Sequence, residues 1–179
     1  MKIKKGFLIT VIFWGFLLCG CASVIDHNQD QVISFLIADF HGQSILPAEF
    51  KFDAAAGRCR WSIGDDFVFQ ISIFRIPENQ RPEQWRKSLR WKFLTGKEKE
   101  KCRFISRTAV DYKVWKGEKD RLEDNRDCFS YWFLSNDQYF VFASLIGRDD
   151  RDKFTSLDAR LETFFVNLKI ALSVPIQDP

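Results

Sequence analysis

The chain has 179 residues, 46% apolar, 16% aromatic and 28% charged, enough to close one sizeable core and too apolar for a disordered or fibrous protein. Its formal charge of +3 belongs to the first twenty residues, where Lys2, Lys4 and Lys5 stand without an acid; the rest carries 24 basic and 24 acidic side chains. The basic excess therefore gives no argument for a nucleic-acid partner.

The positive head from Met1 to Lys5 is followed by 13 apolar or small residues, Gly6 to Leu18. A membrane-spanning helix needs about 20 residues at 1.5 Å rise each, so the run reads as a secretory leader, with an uncleaved anchor helix as the alternative. The next four residues, Leu18-Cys19-Gly20-Cys21, resemble the lipobox of bacterial lipoproteins: an aliphatic residue, two small ones and the Cys before which the leader is cut. Cys19 departs from the more usual Ala, Ser or Thr but is still small. The resemblance implies that residues 1–20 are removed, that the Cys21 sulfur carries diacylglycerol, and that its freed amine carries an acyl chain. At about 0.8 kcal/mol per buried CH₂, three chains hold a soluble body at a membrane almost permanently. Ala22, rather than Asp, resembles the pattern sent on to the periplasmic face of the outer membrane in two-membrane bacteria. With a single membrane, the outer face of the cell membrane is implied.

Residues 21–28 are mostly small or polar, as suits a tether, and 29–179 are expected to form a single domain. Ile33, Leu36, Ile37 and Phe40 recur at helical spacing with Gly42 as a stop, which predicts a helix; Val32, Ile33 and Phe35 are also good strand formers and leave a strand as the competing reading. From Arg58 to Ile76 the alternation predicts a hairpin turning at Gly64-Asp65, its second strand covered on both sides. Pro82 and Glu83 open a helix whose Trp85, Leu89 and Phe93 share a face, ending by Gly96. Three strands follow as a meander, Cys102 to Trp115, Asp127 to Ser135 and Gln138 to Gly147, with Asn136-Asp137 as a tight turn. Lys116 to Arg126, eight charged residues in eleven, reads as a solvated hairpin connection, or as function a recognition finger. Phe154, Leu157, Leu161, Phe164, Phe165 and Leu168 predict a last helix, with Asp152 near its positive end.

The predicted fold class is α+β, a largely antiparallel sheet of about five strands flanked by two or three helices. The order of two strands, helix, three strands and helix resembles that of the oxygen-evolving PsbP proteins. The resemblance implies a shape and no activity.

With Cys19 removed and Cys21 alkylated, Cys59, Cys102 and Cys128 remain. Export to an oxidising compartment makes one disulfide and one thiol plausible, and the strand outline favours Cys59 to Cys128 if their strands lie side by side; three buried thiols are the alternative. No CxxC occurs, and His27 and His41 lie far upstream, so no metal or cofactor is implied. Nor is there a GxSxG, HExxH, P-loop or dinucleotide fingerprint, and the expectation is a protein that is not an enzyme. Asp149, Asp150 and Asp152 do not follow a calcium-loop spacing.

Charge is unevenly placed. Residues 81–119 hold 13 basic and 5 acidic side chains interleaved with aromatics, while 21–80 and 120–162 each carry a surplus of four acids. On the helix, Trp91 falls about 160° from the apolar stripe, beside Lys87. Arg86, Lys87, Arg90 and Trp91 are therefore candidate partner contacts; the competing reading is a solvated face balanced by acids elsewhere, with Trp91 under the following loop. Two functions are compatible with these features. One is a non-catalytic module recognising another envelope protein, with immunity against a periplasmic toxin included. The other is an envelope assembly or stress factor touching anionic lipid or wall polymer.

Overall fold

A computed structural model describes residues 30–172 apart from 38, 56–57 and 100–101. The leader, the lipobox with Cys21 and the tether lie outside the described residues. The elements in chain order are β1 (Gln31–Ile37), β2 (Phe40–Leu46), β3 (Lys51–Ala55), β4 (Arg58–Ile63), β5 (Phe67–Arg75), α1 (Pro82–Lys99), β6 (Arg103–Tyr112), β7 (Trp115–Glu123), β8 (Asp127–Ser135), β9 (Tyr139–Arg148), α2 (Arg151–Asn167) and β10 (Lys169–Leu172). The protein is thus α+β, as expected, but richer in sheet. A seven-stranded sheet runs in the order β3-β4-β5-β9-β8-β7-β6, a three-stranded sheet in the order β1-β2-β10, and every neighbouring pair is antiparallel.

The large sheet is covered on both faces. On one, α2 and the small sheet bury Phe69, Trp132, Leu145, Phe164 and Phe165 in the main core, where the Phe69 and Phe164 rings meet edge to face with centroids 5.0 Å apart. On the other, α1 covers a smaller cluster built from Phe129, Tyr131, Phe133 and Phe140. Strand β8 serves both layers, so its residues are buried without alternation from Cys128 to Ser135. The two-sided cover expected of β5 is only partial: Phe67, Phe69, Ile71 and Ile73 are buried, while Val68, Gln70 and Ser72 are half-buried and Phe74 is exposed.

The predicted first helix is a strand. In β1, Gln31, Ile33, Phe35 and Ile37 are buried while Val32 and Leu36 are both 60% exposed, a period of two that the apolar residues on the outer face disguise as a helical stripe. Gly42 does not stop a helix. It lies opposite Phe35 in the β1/β2 pairing, and a Cβ there would meet the Phe35 ring at 2.2 Å, so the missing side chain makes room for that ring.

The predicted loop Lys116 to Arg126 is mostly strand β7, and the predicted strand Cys102 to Trp115 is β6 plus the turn that leads into it. The extra strand reverses the direction expected of β8 and overturns the favoured disulfide. Cys59 is in line with Ile71, Ala143 and Trp132, whereas Cys128 is in line with Gly147, Phe67 and Ile63. Three strand spacings, about 14 Å, separate β4 from β8, twice the Cα distance a disulfide tolerates. No disulfide joins Cys59, Cys102 and Cys128.

The last helix forms as expected, and its cap is Asp150, whose side chain accepts from the Lys153 N–H, with Asp152 in the first turn.

Candidate functional site

Pro82 opens α1, Glu83 sits in its first turn, and Trp85, Leu89 and Phe93 turn toward the large sheet. Phe93 packs against Tyr131 with centroids 4.6 Å apart and Trp85 against Phe140 at 5.3 Å. These helix side chains remain half-buried, so apolar packing holds α1 less firmly than α2.

A buried ion pair supplements that packing. Asp120 on β7 is fully enclosed and accepts from Arg90 Nε at 2.6 Å and Arg90 Nη2 at 3.1 Å, a bidentate pairing; Arg107 Nε on β6 donates to the same carboxylate at 3.1 Å. Glu118 lies 3.4 Å from Arg90 Nε. One carboxylate thus ties α1 to two strands.

Beside this pair a groove of about 650 Å³ runs between α1 and β6, lined by Lys87, Arg90, Trp91, Leu94, Cys102, Phe104, Arg107 and Leu122. A bulge in β6 shapes it. Phe104 pairs with Leu122 and Ser106 with Arg121, leaving Ile105 as the extra residue. Strict alternation would put Phe104 and Arg107 on opposite faces; the bulge puts both on the α1 side, where the Arg107 guanidinium lies over the Phe104 ring at 5.5 Å. Trp91 stands at the rim, 73% exposed.

The four sequence candidates fall in different settings. Trp91 and Lys87 face outward, Lys87 pairing with Glu83 at 2.8 Å. Arg90 is committed to Asp120, and half-buried Arg86 donates to the Lys116 carbonyl and the Ser135 hydroxyl. Those two hold the helix and are not open contacts. Acids from outside 81–119, Asp120 with Arg90, Glu123 with Arg103 and Asp158 with Lys119, offset part of its surplus of eight cations. The acids that do so sit largely on β7. Sequence reasoning places Phe104 in the basic aromatic stretch but does not single out Arg107 or Asp120 as members of this site.

On the opposite face, Tyr112 is buried beside α2, and burial, with Glu162 adding a smaller push, raises its phenol to about 12. Burial likewise raises the Cys128 thiol, which is an unreactive setting for sulfur. Among the described residues no three His, Cys, Asp or Glu side chains group where a metal ion would sit, and no helix is long and apolar enough to cross a membrane.

Among solved structures, the chain is similar to the solution structure of cyanobacterial PsbP (CyanoP) from Synechocystis sp. PCC 6803, with a TM-score of 0.55 and 12% identity over 86% of this chain and 99% of that one. The fold is PsbP-like. At that identity the likeness concerns the fold alone. A crystal structure from Bacteroides thetaiotaomicron VPI-5482 matches with a TM-score of 0.49 and 14% identity over 73% of this chain and 45% of its own. No protein-family model matches the sequence, and no curated protein does.

Proposed function

We propose that the protein is a lipoprotein, anchored through Cys21 and facing the periplasm, that acts as a non-catalytic binding module for another envelope protein through the groove between α1 and β6. The observation that carries this reading is the composition of the groove: an exposed Trp91 and Phe104 beside Leu94 and Leu122, rimmed by Lys87 and Arg107. Aromatic anchors beside a guanidinium are the residue types that dominate protein interfaces. The internal pairing of the cations favours a protein over an anionic lipid or polymer, because Lys87, Arg90 and Arg107 already face carboxylates and offer little unbalanced charge. Immunity against a periplasmic toxin is one form such recognition takes.

A photo-crosslinking residue at Trp91, compared with one at Leu36 on the outer face of the small sheet, tests the site in intact cells. The expected result is one discrete protein adduct from position 91 that survives high salt. Equal labelling from both positions, or an adduct with lipid or wall material that salt abolishes, rules out the proposal.

A further inference from the structure

We propose that β6 is a pairing edge for a second copy of this chain, joined antiparallel about a two-fold axis at Ala109. Strand β6 ends the seven-stranded sheet; no strand lies beyond it among the described residues. From Arg103 to Ala109 every side chain is exposed, so neither helix covers this edge. It contains no proline, and the bulge at Ile105, a feature that commonly blunts such an edge, lies outside the regular run that follows it.

The sequence of β6 is arranged to pair with itself. After the bulge, its regular run extends from Ser106 to Tyr112, seven residues whose centre is Ala109. Antiparallel pairing about that centre sets Ala109 against itself, Thr108 against Val110, and Arg107 against Asp111 of the second copy. Within one chain Arg107 already faces Asp120 across the β6/β7 ladder and Asp111 faces Lys116, at 3.1 Å and 3.4 Å. The junction therefore completes a lane of alternating charge: Asp120, Arg107, then Asp111 and Lys116 of the second copy, with the same lane repeated by symmetry. Opposite charges directly across a strand pair favour that register, and a shift by two residues places like or neutral groups opposite. Exposed Phe104 and Ile105 at one end of the edge approach exposed Val114 at the other end of its mate. Pairing is in the plane of the sheet, so the groove above it stays open, and this inference stands or falls independently of the proposed function.

An Ala109→Cys variant of the full chain, oxidised in intact cells, tests it, with Asp65→Cys in the exposed β4/β5 turn as control. Directly opposed residues in antiparallel strands have Cα atoms about 4.5 to 5.5 Å apart, within disulfide range. The expected result is a non-reducing band of twice the chain mass, at least fivefold stronger than the control. Adding Asp111→Arg should reduce it at least fivefold, and combining Arg107→Asp with Asp111→Arg should restore it. Because Arg107 also holds Asp120, the Asp111→Arg arm decides the matter if the Arg107 variants do not accumulate. A band no stronger than the control, one indifferent to Asp111→Arg, or an adduct with a different protein overturns the proposal.

Discussion

Replacing Asp120 by Asn tests the account of how α1 is held. The carboxylate is fully enclosed and accepts three hydrogen bonds from two guanidinium groups, one of them on Arg90, itself only 9% exposed. Asn keeps the volume, removes the charge and turns an amide donor toward the donors it must satisfy. Breaking a buried pair while leaving its partner charged costs about 3 to 5 kcal/mol. For a domain of this size that is a fall of roughly 6 to 20 °C in melting temperature. Urea unfolding followed by tryptophan fluorescence measures it, and an unchanged slope shows that stability alone has moved. The double change Arg90→Met with Asp120→Leu removes both charges and should recover most of the loss, since Arg107 and Glu118 can turn to solvent. A cost below about 1 kcal/mol for Asp120→Asn, or a double variant no better than the single, would falsify the assignment of the ion pair as the pin of α1.

Three further outcomes are expected. Tyr112 keeps its proton to about 12 in the folded chain against 10 when unfolded, so its contribution is complete below pH 10 and fades between pH 10 and about 12, by up to about 3 kcal/mol. Unfolding curves at pH 9 and 11.5 should show this alkaline loss, smaller in Tyr112→Phe; identical losses in both proteins contradict it. Thiol titration of the denatured, unreduced protein after leader removal should find three thiols, those of Cys59, Cys102 and Cys128, and a count of one would show a disulfide among them. Cys21→Ala should abolish incorporation of labelled palmitate and leave the leader uncut, whereas continued labelling removes the anchor from the proposal.

What was legible in the sequence tracks how the residues are buried. The β4/β5 hairpin, α1 and α2 each bury one face that is almost continuously apolar, so their period is visible despite Phe74 and Trp91 on the outer faces. Strand β1 hides its period because Val32 and Leu36 are apolar yet exposed. Strand β7 hides for the opposite reason. Its α1 face reads Lys116, Glu118, Asp120 and Leu122, and its α2 face Trp115, Gly117, Lys119 and Arg121, so ion pairs stand where apolar contacts usually mark a strand. Only Trp115 and Leu122 at its ends carry the ordinary signal. Reading that strand as a loop reverses β8, brings Cys59 and Cys128 together and gives Asp120 no apparent partner. The helical angle alone sets Trp91 away from the apolar stripe and leaves open whether the following loop covers it, whereas the roles of Arg86 and Arg90 depend on β7 and cannot be read.

The two faces of the large sheet differ in how they resist change. Phe154, Leu161, Phe164 and Phe165 of α2 are completely enclosed, and truncating one such aromatic costs about 3 to 5 kcal/mol, so that layer is fixed by packing. On α1, Trp85, Leu89 and Phe93 are only half-buried, and Arg90 supplies a directional contact that apolar packing cannot. Both Arg90 and Arg107 reach the same carboxylate from opposite walls of the groove, so Asp120 sets the separation of α1 from β6. A ligand that wedges into the groove must work against that shared carboxylate, whereas one that binds across the Trp91 rim leaves it intact. Comparing partner binding in Trp91→Ala with binding in the Arg90→Met and Asp120→Leu double variant separates the two. Loss in the first with the second unchanged places the contact on the rim, whereas tighter binding in the double variant places it between the walls.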